Sequence, residues 1–216
     1  SLPSNPLGTI LTKEEKEDLI KIINDNNILV VTDEIYESLI YEDYYSVAQH
    51  KDILDKVIYI SGFSKMFSMT GLRVGYFAAE KKLMDEIMKV HQYNVSCAAS
   101  ICQWAALEGL KNGLHDVEHM RNVFSERKDY VITELRNMGL EVNEPKGAFY
   151  VFPSIKKFNM SSEEFCLRLL SEEKIACVPG SAFGTGGEGY IRISYCYSME
   201  ELKKALLGLK KFINKL

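Results

Sequence analysis

The strongest constraint on the fold is the alternation, early in the chain, of a helical pattern with short apolar runs. Thr12-Lys13-Glu14-Glu15 forms a capping box, and the apolar spacing after it predicts a helix over about Lys13 to Asn24. Three runs of strand length follow, at Ile28 to Thr32, Lys56 to Ile60 and Val74 to Ala79. Continuous apolar runs are typical of strands buried on both faces of a parallel sheet. The alternation predicts an α/β layer with its ligand site at the carboxyl ends of the strands.

The second half of the chain has a different pattern. Two helices are predicted over Ser96 to Leu110 and Asp116 to Met138, and Asn112-Gly113 separates them. Short strands and capped helices then mix, as in α+β domains. The strands are expected at Leu140 to Asn143, Ala148 to Phe152, Ile175 to Val178 and Tyr190 to Tyr195, and the helices at Ser161 to Glu172 and Ser198 to Leu216. We therefore expect an α/β domain with a mainly parallel sheet over residues 1–112, and a linking helix with a smaller α+β domain over residues 113–216.

Composition narrows the class of partner. Hydrophobic residues make up 46% of the 216 residues and charged residues 26%, values of an ordinary globular protein. The formal net charge of −4, without any basic block, argues against nucleic acid or an anionic membrane as a partner. No apolar run approaches the roughly 18 residues of a membrane helix. The 5 cysteines are odd in number and form no CxxC pair, which argues against a disulfide framework or a zinc ribbon. We expect a cytoplasmic protein that acts on small molecules.

Candidate functional residues lie at or after the ends of two predicted strands. Asp33 ends the first strand, with Tyr36 three residues later, and Lys65 comes shortly after the second strand. A lysine in a partly desolvated pocket can present a neutral amine that attacks a carbonyl group. Each also has an ordinary explanation, since Lys65 could be a surface residue and Asp33 could cap the next helix.

A family resemblance emerges from five motifs taken together. The motifs are Ser4-Asn5-Pro6-Leu7-Gly8, Asp33-Glu34-Ile35-Tyr36, Ser64-Lys65, Met69 to Tyr76, and Tyr190 to Ser194. In order and rough spacing they resemble the class I/II aminotransferases, the aspartate-aminotransferase-like pyridoxal-phosphate enzymes of fold type I. The resemblance extends over the whole chain. It implies that residues 1–112 hold part of the large cofactor-binding domain.

The resemblance also implies roles for individual residues. Lys65 resembles the lysine that forms the Schiff base with pyridoxal 5′-phosphate and moves the proton between the substrate α-carbon and the cofactor. Asp33 resembles the partner of the pyridinium nitrogen, which keeps the ring an electron sink. Tyr36 and Asn5 resemble the donors to the phenolic oxygen of the ring. Arg73 resembles a phosphate ligand, a role that suits a guanidinium group.

The remaining two assignments carry an alternative each. Ser64 resembles a phosphate ligand, but many relatives have a serine where this chain has Gly62, which leaves the phosphate roles of Ser61 and Ser64 open. Arg192 resembles the arginine that binds the substrate α-carboxylate in a bidentate manner. An arginine within an apolar strand could instead belong to a structural ion pair.

The resemblance implies an aminotransferase that moves an amino group between an α-amino acid and a 2-oxo acid, as a homodimer with a shared active site. Two alternatives use the same residues: a cystathionine β-lyase-like carbon–sulfur lyase, and an aminotransferase-like sensor domain of a transcription regulator. Relatives carry a long amino-terminal portion before the Asn-Pro-x-Gly motif, which here occupies residues 5–8. We therefore expect the chain to be a fragment that is inactive by itself.

Two further motifs match known patterns without the context that those patterns need. Gly184 to Gly189 fits the dinucleotide-binding glycine pattern, but a strand and not a helix is expected after it, so we interpret it as a turn. His115 to His119 fits an inverted zinc-protease pattern without a third ligand. We interpret that segment as a solvated helix face and expect no metal site.

Overall fold

A computed structural model describes all residues, Ser1–Leu216, and divides the chain into two compact units. Unit 1 comprises Ser1–Ser4 and Thr9–Arg121, and unit 2 comprises Asn5–Gly8 and Asn122–Leu216. The units therefore separate inside a long helix and not at Asn112-Gly113. The short segment Asn5–Gly8 packs with unit 2, an exchange that no local sequence pattern indicates. No helix has both the length and the apolar character that crossing a membrane would require.

Unit 1 begins with helix α1 (Lys13–Asn26), which starts at the expected capping box. Its sheet has the order β1-β2-β3, formed by Val30–Asp33, Val57–Gly62 and Gly75–Ala79. Strands β1 and β2 are parallel, and β2 and β3 are antiparallel. The expectation of a mainly parallel sheet therefore holds for only one of the two pairings. The reason is the short connection after β2, a single helical turn, α2 (Phe63–Met66), and one 3₁₀ turn, which reverses the chain.

The sheet of unit 1 is covered unevenly. Val31 is 58% exposed, while its neighbour Thr32 is buried. The first strand is therefore not buried on both faces as its continuous apolar run predicts. One core cluster forms where α1 packs on the segment before β2, and it consists of Ile20, Ile23, Val47, Ile53 and Val57.

Two helices follow the sheet of unit 1. Helix α3 (Lys81–Asn94) and helix α4 (Ser100–Asn112) come next in the chain. Helix α4 starts later than the predicted start at Ser96. Its residues Cys102 and Ala106 form a second core cluster with Phe63 of α2 and with Val74, which precedes β3. This cluster anchors the segment that contains Lys65.

Helix α5 (Leu114–Asn137) continues from unit 1 into unit 2. The sheet of unit 2 is antiparallel, in the order β4-β6-β5, formed by Tyr150–Val151, Ile191–Ser194 and Val178–Pro179. The unit also contains helices α6 (Ser162–Glu173) and α7 (Met199–Ile213). Phe165 of α6 and Phe212 of α7 meet edge to face at 5.1 Å between ring centroids and are fully buried. The α+β character agrees with the sequence.

The strands of unit 2 are shorter than the sequence predicts. Residues 140–143 form no strand, because this segment makes isolated contacts and no ladder: the Glu141 carbonyl accepts from the Ser154 amide at 2.8 Å, and the Asn143 side chain donates to the Leu7 carbonyl at 2.8 Å. Strand β4 begins only after Ala148, whose φ of 61° interrupts an extended backbone.

Candidate functional site

Asp33 and Tyr36 occupy the carboxyl end of β1, in unit 1. Asp33 is half-buried, and its Oδ1 accepts a hydrogen bond from the Ile35 amide at 3.1 Å. Tyr36 is 5% exposed and begins the turn Glu37–Leu39. The amide of Glu34, which lies between them, donates to the Ile60 carbonyl of β2 at 2.8 Å. The strand end is therefore fixed against its parallel neighbour, the arrangement that places ligand sites at carboxyl ends.

Lys65 lies on the single turn of α2, directly after β2. It is half-buried, and its Nζ atom lies 5.6 Å from the centroid of the Tyr36 ring. The Phe63 amide at the start of this turn donates to the Val74 carbonyl at 3.2 Å. Ser64 is the neighbouring residue on the same turn and is also half-buried. The parallel pairing of β1 and β2 thus brings Lys65 to Tyr36, as expected for residues at neighbouring strand ends.

Gly62, three residues before Lys65, lies where a side chain would clash with the neighbouring strand β3. A Cβ atom on Gly62 would lie 2.9 Å from the Cα atom of Gly75 and 3.1 Å from the Val74 carbonyl. A serine at position 62 would therefore push β3 away from β2. The adjacent hydroxyl of Ser61 donates to Oε1 of Glu37 at 2.9 Å. This chain thus has a glycine, and not the serine of many relatives, at the position where β2 and β3 approach closely.

Arg73 lies in the turn that leads to β3. Its backbone is left-handed, with φ of 56°, and its guanidinium Nη1 donates to the Thr70 carbonyl at 2.8 Å. The side chain belongs to an exposed residue. A guanidinium group has five donors, so this one bond leaves others for an anion such as a phosphate.

The site contains a buried carboxyl group that sequence reasoning missed. Glu34 is 0% exposed, and its Oε1 accepts hydrogen bonds from the hydroxyls of Thr32 at 2.9 Å and Ser46 at 2.5 Å. Burial raises the pKa of Glu34, and the hydrogen bonds from Ser46 and Thr32 counteract this in part. Glu37 lies nearby and accepts a hydrogen bond from the Tyr59 hydroxyl. Burial raises the pKa of Tyr59 as well. Ser46 lies 12 residues from Glu34, so no local motif joins the two.

Arg192 and Asn5 meet in unit 2. Arg192 lies on β6, and its Nη1 atom donates to Oδ1 of Asn5 at 2.8 Å. The guanidinium carbon lies 4.4 Å from the ring centroid of Tyr150 and 5.0 Å from that of Phe183. The partner of the arginine is thus an amide and two aromatic faces, which favour the cation by cation–π attraction. The structural ion pair considered as an alternative does not correspond to these contacts.

Two motifs set aside in the sequence have the expected surroundings. The segment Gly184–Gly189 forms turns and precedes β6, without a helix at its end. His115 and His119 are exposed on α5.

The donor set at the strand ends of unit 1 suits a phosphorylated pyridine aldehyde. Asp33 offers a carboxylate for a ring nitrogen, Lys65 an amine for an aldehyde, Tyr36 a phenol for a ring oxygen, and Arg73 a guanidinium for a phosphate. These are the groups of the cofactor that the sequence resemblance implies.

Comparisons with known proteins agree with this chemistry. A family model described as aminotransferase class I and II matches residues 2–209. A Bacillus subtilis (strain 168) chain described as an aminotransferase, YugH, is 47% identical over 214 residues, which are 99% of this chain and 55% of its own. The aspartate aminotransferase of Pyrococcus abyssi is 40% identical over 215 residues, which are 98% of this chain and 55% of that protein.

Solved structures give the same result. The aromatic aminotransferase from Pyrococcus horikoshii OT3 is similar with a TM-score of 0.94 and 38% sequence identity, over 99% of this chain and 58% of that chain. The aspartate aminotransferase from Thermotoga maritima gives a TM-score of 0.91 at 38% identity, over 99% and 55% of the two chains. The chain therefore spans a little more than half the length of the relatives it matches.

Proposed function

Because the chain belongs to the class I and II aminotransferase family, we propose that it supplies the catalytic lysine of a pyridoxal-phosphate-dependent aminotransferase. The observation that carries the proposal is the meeting of Lys65 with Tyr36, beside Asp33, at the carboxyl ends of two parallel strands. The substrates are an α-amino acid and a 2-oxo acid, and the active protein is a homodimer with a shared site, as the resemblance implies.

The side chains of unit 1 bind the cofactor and move the proton. Pyridoxal phosphate, when bound, supplies an aldehyde that takes the amino group and a ring that withdraws electrons from the α-carbon. Asp33 holds a proton on the ring nitrogen by opposing its charge. Lys65 carries a proton to and from the α-carbon of the substrate, a general acid–base role that requires its amine to be neutral for part of the cycle. Tyr36 donates its hydroxyl to the ring oxygen.

Phosphate binding falls to Arg73 and Ser64. The guanidinium of Arg73 supplies charge-assisted donors, and the Ser64 hydroxyl adds a neutral donor from the turn that holds Lys65. The Ser61 hydroxyl donates its hydrogen bond to Glu37, which argues for a structural role at that position.

Substrate recognition falls to Arg192. Its planar guanidinium suits the α-carboxylate that amino and oxo acids share, and the rings of Tyr150 and Phe183 limit its movement. Asn5 accepts a hydrogen bond from one guanidinium nitrogen of Arg192, and the resemblance implies a second role for it as a donor to the ring oxygen of the cofactor. This pairing orients the arginine before substrate arrives.

The test is covalent mapping on the complete natural protein. Borohydride reduction of the protein loaded with pyridoxal phosphate should place a pyridoxyl group on Lys65, and Lys65→Ala should abolish this adduct. Lys111→Ala, which removes an exposed lysine of α4, is the matched control and should leave the adduct intact. An adduct on another lysine would overturn the assignment.

Activity requires a second measurement. A panel of amino donors with a 2-oxo acid acceptor should yield a new amino acid and a new oxo acid in equal amounts. Release of ammonia or of a thiol without transfer would instead support the carbon–sulfur lyase.

A further inference from the structure

Glu34 stands between two residues of the proposed site, yet its side chain is directed to the protein interior. It is 0% exposed, with Asp33 before it and Tyr36 two residues after it. Glu34 directly follows β1, and its side chain lies on the side of Thr32, to which it hydrogen-bonds, whereas successive side chains of an extended chain point to opposite faces. The burial of a carboxyl group is costly, and an apolar residue would fill this space at lower cost.

The carboxyl group connects two separate parts of unit 1. Its Oε1 accepts from the Thr32 hydroxyl of β1 and from the Ser46 hydroxyl of a later segment, at 2.9 and 2.5 Å. Ser46 Oγ in turn accepts from the Ala48 amide at 2.9 Å and so begins the turn Val47–Gln49. The side chain of Glu34 is therefore held by the segment from Ser46 to Ala48.

The backbone of the same residue is held as well. The Glu34 amide donates to the Ile60 carbonyl at 2.8 Å, and its carbonyl accepts from the Glu37 amide at 2.9 Å. The side chain and the main chain together tie position 34 to β1, β2 and the segment from Ser46 to Ala48. This fixes the two peptide units that flank Glu34, which are two of the three that connect Asp33 to Tyr36.

We propose that Glu34 is a positioning residue for Asp33 and Tyr36, which its buried carboxyl group holds in the geometry that the cofactor requires. This inference rests on the proposed function. A residue that orients the side chains that bind a cofactor is expected to affect cofactor binding without contacting the cofactor itself.

The test compares three variants of the complete natural protein loaded with pyridoxal phosphate. Glu34→Ala should release the cofactor roughly tenfold faster and displace the midpoint of the pH titration of cofactor absorbance. Glu34→Gln should restore both, because the amide oxygen can accept the same bonds from Ser46 and Thr32. Ser162→Ala is the matched control: Ser162 is 0% exposed and its hydroxyl accepts from the Gly189 amide at 2.8 Å in unit 2. It should lower thermal stability without moving either readout.

Hydrogen exchange separates failure of this inference from failure of the proposed function. In the cofactor-free protein, Glu34→Ala should accelerate exchange of the amides from residue 33 to residue 37, and Ser162→Ala should not. If the wild-type protein binds no cofactor, the proposed function fails while the exchange result still decides the positioning role. Unchanged exchange and unchanged titration in Glu34→Ala would overturn the inference. If that variant does not fold, Ser46→Ala must shift the same readouts in the same direction, and no shift would overturn it.

Discussion

Replacement of Tyr195 by phenylalanine tests the packing behind Arg192. The Tyr195 side chain is fully buried, and its hydroxyl donates to the Ala148 carbonyl at 3.1 Å. The Tyr195 amide donates to the Phe149 carbonyl at 3.0 Å. These two bonds secure the segment that leads into Tyr150, whose ring lies 4.4 Å from the guanidinium carbon of Arg192.

The expected loss of stability in Tyr195→Phe follows from the removal of a single oxygen atom. Tyr195→Phe keeps the ring and its edge contact with Phe124 at 6.4 Å, so no large cavity forms. The loss of one buried hydrogen bond should lower the free energy of unfolding by about 1 kcal/mol. For a chain of 216 residues that melts cooperatively, this corresponds to a fall in Tm of about 2–4 °C.

The assay is urea denaturation followed by circular dichroism, with thermal melting beside it. Tyr197→Phe is the matched control, because Tyr197 is 57% exposed. The control should change the free energy of unfolding by less than about 0.5 kcal/mol. Equal stability of the two variants would refute the reasoning that the buried hydroxyl secures this segment.

Three further predictions concern pH, close packing and thiol chemistry. Folding raises the pKa of Glu34 above its ordinary value of 4.5, so the native protein retains a proton there that the unfolded chain releases. A rise in pH above 4.5 should therefore destabilise the wild type relative to Glu34→Gln. Parallel pH profiles of Tm for the two proteins would contradict this. Gly180→Ala should lower the free energy of unfolding by about 1–3 kcal/mol or more, because its Cβ atom would lie 2.0 Å from a backbone oxygen. The control is Gly186→Ala, whose Cβ atom would meet nothing within 4 Å, and chemical denaturation should show a loss of less than about 1 kcal/mol for it. Burial raises the pKa of Cys166 to about 11 and that of Cys177 to about 12, so a thiol reagent at pH 8 should modify the exposed Cys97 and Cys196 before these two. Mass spectrometry over a time course checks this order, and equal rates at all four thiols would contradict it.

Local signals in the sequence predicted local structure well. Helices α1 and α7 both begin at the capping boxes that the sequence contains, at Thr12 and Ser198, because the bonds of a capping box join residues three apart. The family motifs were also sufficient to identify the chain, since the resemblance is confirmed over residues 2–209. The roles of individual site residues stay proposals.

Features that depend on distant partners could not be predicted. The antiparallel pairing of β3 is set by the length and course of its connection to β2, which apolar periodicity does not encode. The surroundings of Glu34 depend on Ser46, and those of Arg192 depend on Phe183, residues that only the folded chain brings together. The position of an arginine inside an apolar strand indicates that it needs a partner, but it does not say that aromatic rings fill that role.

The placement of Asn5–Gly8 in unit 2 has a practical consequence for engineering. The chain passes from unit 1 to unit 2 and back within its first nine residues, before the final passage at Arg121. Unit 2 is therefore not a continuous stretch that can be cut out or grafted as a module. A shortened chain that starts at Asn122 would deprive Arg192 of the Asn5 side-chain oxygen that accepts its hydrogen bond.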